Sequence, residues 1–303
     1  MDPIHQALRG ELVKFFTADM LELQGLLCEP EAKTEKAVVY VHGTAGNFYE
    51  NRLVNYIAES ALKTGYAFLS FNNRGHDYFA DIIQRTGEQE KAVTIGGAYE
   101  RFEECIHDIE AALSYLEARG FNKFILAGHG LGPNKIVYSQ HQRRNTKVAG
   151  LILLSPCNDV ALQKSALSEK FDEANEKIYR MVEEGRGKEM LGEDMSPICP
   201  MSAQAYFGYL TPKGPGNTFP YHSPEEGFRE ITELELPMLV LFGSKDSFIL
   251  PSVMEAGKIF KKKTRQARVG VIVNAGHNFN GFGKEVADIV TKWLGEMDKE
   301  KKQ

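Results

Sequence analysis

Asp246 and His277 are the residues of this chain whose types and order suit acid–base chemistry. A hydroxyl is a weak nucleophile at neutral pH and needs a base within hydrogen-bond reach, a task that suits histidine because it titrates near that pH. A buried carboxylate behind the imidazole fixes its tautomer and stabilises the imidazolium. The nucleophile itself is expected in Lys123-Phe124-Ile125-Leu126-Ala127-Gly128-His129-Gly130-Leu131-Gly132, where an apolar run ends in Gly-His-Gly-Leu-Gly and a helical segment, Asn134 to Gln140, follows. In a G-x-S-x-G elbow a strand turns sharply into a helix and lifts the central side chain above the sheet. Here the frame is kept and Gly130 stands at the centre.

Such a turn holds its central residue in a strained conformation, where a side chain costs about 1–3 kcal/mol. Glycine adopts it freely. Gly130 is therefore expected to preserve the bend while removing the reactive oxygen, closing the acyl-enzyme route and leaving the chain inactive or strongly impaired. A serine replaced in this chain and a serine lost naturally both fit. The backbone groups that would hold a developing oxyanion are the N–H of Leu131, next to the elbow centre, and that of Thr44, in the loop after the strand ending at His42-Gly43. His42 and Gly43 are expected in the substrate pocket, the backbone there mattering more than the imidazole. Tyr206 and Phe207 are candidates for its wall, against the plainer reading that they pack a local core.

The elements that must position these residues are legible in the hydrophobic pattern. Glu11 to Phe16 and Leu21 to Leu27 read as an antiparallel hairpin turning at Ala18-Asp19. Lys36 to Val41, Tyr66 to Phe71, Lys123 to Ala127, Val148 to Leu154, Pro237 to Phe242 and Ala267 to Val273 read as strands, most of them continuous apolar runs fit for burial on both faces. Helical spacing runs from Phe48 to Lys63, from Ala98 to Arg119, over Leu167 to Glu184 and from Val286 to Met297, and Asp298 to Gln303 reads as a charged, frayed tail. Asp77 to Gly97 reads as a long excursion. The pattern changes between about Val160 and Thr232, which gives an expected division into a core over 1–159, an inserted cap over 160–232 and the rest of the core over 233–303. Strands alternating with helices predict an α/β fold with a mostly parallel sheet covered on both faces.

At this point the chain resembles the α/β-hydrolase family over nearly its whole length. The resemblance rests on His42-Gly43-Thr44-Ala45-Gly46, Asn73-Arg74-Gly75-His76, Gly128-His129-Gly130-Leu131-Gly132, Gly243-Ser244-Lys245-Asp246 and Gly276-His277, in that order and each at a strand end. Within the family, Ile95-Gly96-Gly97-Ala98-Tyr99-Glu100 and Cys105-Ile106-His107-Asp108-Ile109 are similar to segments of bacterial and fungal serine esterases. The resemblance implies hydrolysis of an ester, thioester or amide through a Ser-Asp-His mechanism, with Gly130 at the nucleophile position, and it requires no cofactor or metal. Two other functions fit the same residues: a small-ligand binding protein on the hydrolase frame, and epimerase- or lyase-type proton transfer by His277 without an acyl-enzyme.

Asp159 also follows a strand and competes with Asp246 for the acid. Cys157 is a poor substitute nucleophile, since nothing in the sequence places it against His277. Arg74 and His76 read as loop-stabilising, and Lys261-Lys262-Lys263 as a solvated helix end. A net charge of −5 gives no electrostatic case for nucleic acid or an anionic membrane. No apolar run reaches the roughly 18 residues of a membrane span. Met1 to Val13 lacks the basic start and apolar core of a signal peptide. Four separated cysteines without C-x-x-C spacing favour reduced thiols and a cytoplasmic setting. The expected partner is a small molecule with an acyl or apolar group.

Overall fold

The continuous apolar runs become the middle of one sheet. The computed structural model describes residues 8–299, with 88 and 226 excepted. The expectations for the first seven residues and for the tail beyond residue 299 lie outside them. The hairpin β1 (Glu11–Phe16) and β2 (Glu22–Cys28) leads to β3 (Lys36–Val41), α1 (Leu53–Lys63), β4 (Ala67–Phe71), β5 (Ala80–Thr86), β6 (Gln89–Ile95), α2 (Cys105–Ala118), β7 (Lys123–His129), α3 (Gly132–Arg143) and β8 (Val148–Leu154). There follow α4 (Asp159–Leu167), α5 (Phe171–Glu183), α6 (Ala203–Leu210), α7 (Arg229–Thr232), β9 (Met238–Gly243), α8 (Val253–Lys263), β10 (Ala267–Ile272) and α9 (Gly283–Met297). Among the described residues the main sheet has eight strands in the order β1-β2-β4-β3-β7-β8-β9-β10. Strands β1 and β2 run antiparallel to their neighbours, and every pairing from β4 to β10 is parallel. This is the α/β-hydrolase fold.

The two-residue period of a strand divides each central run between two cores. Val39, Leu126, Leu153 and Val240 face the side covered by α2, α3 and α8, where Leu113, Ile136 and Phe260 meet them. Val38, Ile125, Ile152 and Leu239 face the side covered by α1 and α9, where Ile57, Val290 and Trp293 meet them. Between β8 and β9 a separate small core gathers Ile178 and Met181 of α5 with Tyr206 and Tyr209 of α6. Leu131 and Phe102 pack into that same cluster, so the elbow touches the inserted segment directly. Phe219, Tyr221, Phe228 and Ile231, farther along that segment, pack in the main core instead.

Four expectations change. First, Asp77 to Gly97 is a hairpin: β5 and β6 pair antiparallel from Ala80↔Ile95 to Thr86↔Gln89 as a second, two-stranded sheet. Its strands are largely solvated, with Ile82 the buried residue of β5, so little apolar alternation marks them. Second, α1 starts at Leu53 rather than Phe48. Asn47 Oδ1 accepts from the Glu50 amide at 2.9 Å and Asn51 Oδ1 from the Leu53 amide at 2.9 Å, turns that hold the chain out of the helix. Third, α2 starts at Cys105 rather than Ala98, because the Ala98 amide donates to Tyr78 O at 3.1 Å in closing the hairpin. Fourth, Asp298 is not frayed. It accepts from Lys36 Nζ at 2.6 Å, Tyr66 Oη at 2.9 Å and Lys123 Nζ at 3.2 Å.

Candidate active site

Backbone strain marks the edge of the sheet where the central strands end. Ala45 after β3 has φ 49°, Asp77 after β4 52°, Ser155 after β8 45°, and Asn274 after β10 66°. Side chains seldom adopt such angles, and residues held in them often sit at binding and catalytic sites. Open α/β sheets bind ligands beyond the carboxyl ends of their strands. Gly130, between β7 and α3, has φ 64°. The elbow bend is therefore present, and glycine meets its angle without cost.

The same edge brings Asp246 and His277 together. Asp246 follows β9 and His277 follows β10. His277 Nδ1 lies 3.0 Å from Asp246 Oδ2 and 3.2 Å from Oδ1. Oδ1 also accepts from the Phe248 amide at 2.9 Å. Burial pushes the Asp246 carboxyl up, but the hydrogen bond to His277 and the charge of that ring outweigh it, so its pKa falls below the ordinary 3.8. The other ring nitrogen faces the elbow: a Cβ built on Gly130 would lie 3.3 Å from His277 Nε2. Phe248 packs over the imidazole with ring centroids 4.6 Å apart.

His129, next to the elbow centre, fixes the backbone of His277. Its Nε2 donates to His277 O at 2.9 Å, which leaves Nδ1 as an acceptor for the Asn51 side-chain amide at 3.5 Å. Burial and the adjacent His277 lower its pKa to about 4, so the ring is neutral at pH 7. His42 is neutral for a similar reason: burial, then the nearby Lys135 charge, take its pKa well below 6.5. Its Nδ1 donates to Gly43 O at 2.9 Å and its Nε2 accepts from the Asn73 amide at 3.1 Å. Both ring nitrogens thus hold the loop that carries Thr44.

A cavity of about 300 Å³ opens over these groups. His42, Gly43, Thr44, Gly130, Leu131 and His277 all line it. Gly43 lies so close to the elbow that a Cβ there would meet Leu131 N at 2.9 Å and His129 O at 2.8 Å. The absence of a side chain at Gly43 keeps the Leu131 N–H open to the cavity. Tyr206 and Phe207 do not line it. Tyr206 is buried in the small core, and Tyr209 and Leu210, at the end of the same helix, supply the wall. The three-residue step along α6 that separates Tyr206 from Tyr209 cannot be resolved into core and wall from sequence, since both are large aromatics on one apolar helix.

Asp159 also lines the cavity, but it bonds the Cys157 thiol rather than the imidazole, and His277 pairs with Asp246. Burial pushes the Cys157 thiol well up, which makes it a poor nucleophile. Arg74 donates from Nε to Asp108 Oδ1 at 3.0 Å and from Nη2 to Asp19 Oδ1 at 3.0 Å, tying the loop after β4 to α2. His76 pairs with Asp77 at 2.9 Å. Sequence reasoning missed Phe248, Asn51 and Lys135. Lys135 is fully buried and pairs with the fully buried Glu100 at 2.6 Å. The sequence carries no clear signal for it, because α3 also buries the polar side chains of Asn134, Ser139 and Gln140.

The family profile described as "Protein of unknown function (DUF1749)" matches residues 96–297. No curated protein sequence matches the chain. Among solved structures, Est1E from Butyrivibrio proteoclasticus with ferulic acid bound is similar at 18% identity and a TM-score of 0.67, covering 94% of this chain and 99% of that one. The Pyrococcus furiosus esterase Pf2001 is similar at 16% identity and a TM-score of 0.60, covering 95% and 93%. An alpha-beta serine hydrolase homologue from Coxiella burnetii is similar at 14% identity and a TM-score of 0.55, covering 96% and 100%. Likeness at this level of identity speaks to the fold. No helix among the described residues is long and apolar enough to cross a membrane.

Proposed function

The chain belongs to the DUF1749 family, and from that premise we propose that its cavity is a carboxylic-ester hydrolase site whose nucleophile position is held by Gly130. One observation carries the reading: a side chain added at Gly130 would begin 3.3 Å from His277 Nε2, in a bend whose φ is 64°. A serine oxygen attached to that carbon comes within reach of the imidazole once the ring gives by a few tenths of an ångström. The other parts support it. Asp246 holds His277 with Nε2 toward the elbow, and the amides of Leu131 and Thr44 are the proposed donors to the carbonyl oxygen. The part of the inserted segment up to residue 210, which brings Leu162, Cys199, Tyr209 and Leu210 to the cavity, serves as the cap that shapes the substrate end.

In the serine form of this site, the hydroxyl attacks the ester carbonyl and its proton passes to His277 Nε2. The oxyanion is held by the two amides, and the imidazolium returns the proton to the departing alkoxide. Water, deprotonated by the same imidazole, then releases the acid. With Gly130 in place no acyl-enzyme forms. His277 is left to activate water directly, and in triad enzymes that have lost a member the residual acceleration over water is about 10³–10⁴-fold.

The test is Gly130→Ser. The substituted protein is expected to hydrolyse short-chain acyl esters and to be labelled covalently by a fluorophosphonate, while Gly130→Ser combined with His277→Ala does neither. A folded Gly130→Ser protein that is inert to both reagents would remove the hydrolase reading and leave a ligand-binding cavity.

A further inference from the structure

Charge in the cavity is one-sided. Among the described residues that line it, Glu50 and Asp159 carry carboxyls, and no Lys or Arg does. Glu50 is exposed. Asp159 is half-buried at the first position of α4, where the helix is capped by Asn158, whose side chain accepts from the Ala161 amide at 2.7 Å. The positive end of that helix favours the ionised form. What faces the carboxyl is the Cys157 thiol and, at longer range, the His277 imidazole. Among the described residues no Lys or Arg forms an ion pair with it. Burial raises its pKa more than these neighbours lower it. Among the described residues lining the cavity, no lysine or arginine offers this carboxyl an opposite charge.

We propose that Asp159 selects the substrate by accepting a hydrogen bond from an ammonium group on the ester bound in the cavity, so that the preferred substrates are amino-substituted esters. This rests on the ester-hydrolase reading of the same cavity. A cationic amine supplies the opposite charge that the lining of the cavity lacks. A neutral ester leaves the carboxyl unpaired, and an ester with a second carboxylate meets like charge from both Asp159 and Glu50. The cavity holds the ester linkage at the His277 end, where the Leu131 amide lies. The recognition end is walled by Tyr209, Cys199 and Leu162 around Asp159.

The unsubstituted protein allows binding to be measured apart from turnover. Isothermal titration with ethyl butyrate, the ethyl ester of γ-aminobutyric acid and monoethyl succinate compares neutral, cationic and anionic probes of similar size. The amino ester is expected to bind about tenfold more tightly than the neutral one, and the anionic ester most weakly. Asp159→Asn, nearly isosteric, is expected to abolish the amine preference, bringing the ratio of the affinities for the cationic and neutral esters to about one. Asp159→Ser serves the same purpose if the first variant does not show a native thermal transition. Equal binding of neutral and cationic esters, a preference that survives loss of the carboxyl, or no binding of any probe overturns the proposal. Gly130→Ser run in parallel separates the two readings. Hydrolysis without amine preference removes only the role of Asp159. Amine-selective binding beside an inert Gly130→Ser protein removes only the hydrolase chemistry.

Discussion

Two glycines shape the proposed reaction centre for different reasons. Gly130 meets a backbone angle of 64°. Gly43 instead provides room, because a side chain there would stand 2.9 Å from Leu131 N, in the path of any carbonyl oxygen approaching that amide. Adding Gly43→Ala to the Gly130→Ser protein is therefore expected to cut ester hydrolysis by about 10²–10³-fold, the cost of losing one oxyanion donor. Steady-state kinetics would show the loss chiefly in kcat. Unchanged turnover would mean that the Leu131 amide takes no part.

At the scale of elements, the elbow is held by a buried charge contact between α3 and the segment before α2. Lys135 on α3 lies 2.6 Å from Glu100, with neither side chain exposed, and also donates to Asn73 Oδ1 at 3.1 Å. Asn73 in turn donates its backbone amide to His42 Nε2, so the contact reaches the loop that carries Thr44. The hairpin of β5 and β6 adds a second brace: its closing residue Gly96 donates to Arg74 O at 3.0 Å, and Tyr209 Oη donates to Gly97 O at 3.3 Å. Lys135→Met leaves the Glu100 charge buried and unpaired, which should destabilise the protein by about 3–5 kcal/mol. Lys135→Met with Glu100→Gln removes both charges and should recover much of that loss. Urea unfolding midpoints of the two variants distinguish this from a packing defect, which the second change would not repair.

For the whole molecule, the acid response of stability follows from the buried histidines. His129 is held neutral, with a folded pKa of about 4 against 6.5 unfolded. The unfolded chain binds the proton first, so the stability due to the neutral ring is full above about pH 6.5 and is lost as pH falls toward 4. His42 acts in the same direction. Asp246 belongs to a lower window: its depressed pKa contributes stability above about pH 3.8, lost as pH falls through its folded value. His129→Gln, whose amide can still donate to His277 O, should flatten the decline in unfolding midpoint between about pH 6.5 and 4.5. A decline as steep as that of the parent protein would place the proton uptake elsewhere.

The sequence by itself determined the parallel sheet, because central strands covered on both faces must be apolar throughout, and Lys36 to Val41 or Val148 to Leu154 admit no other element of that length. It also determined the bend at Gly130 and the order of Asp246 and His277, since a chain leaving a buried strand needs polar and glycine residues at that edge. The hairpin between Ala80 and Ile95 was not legible, because solvated strands carry little hydrophobic alternation. Nor could the wall of the cavity be read, because Tyr206 and Tyr209 are the same kind of residue in the chain and differ only in what the fold packs against them. Only the tertiary structure set His277 Nε2 beside Gly130, left Asp159 without a lysine or arginine partner among the described residues, and buried Lys135 against Glu100. Those relations join residues distant in sequence, and nothing local in the chain specifies a distance between them.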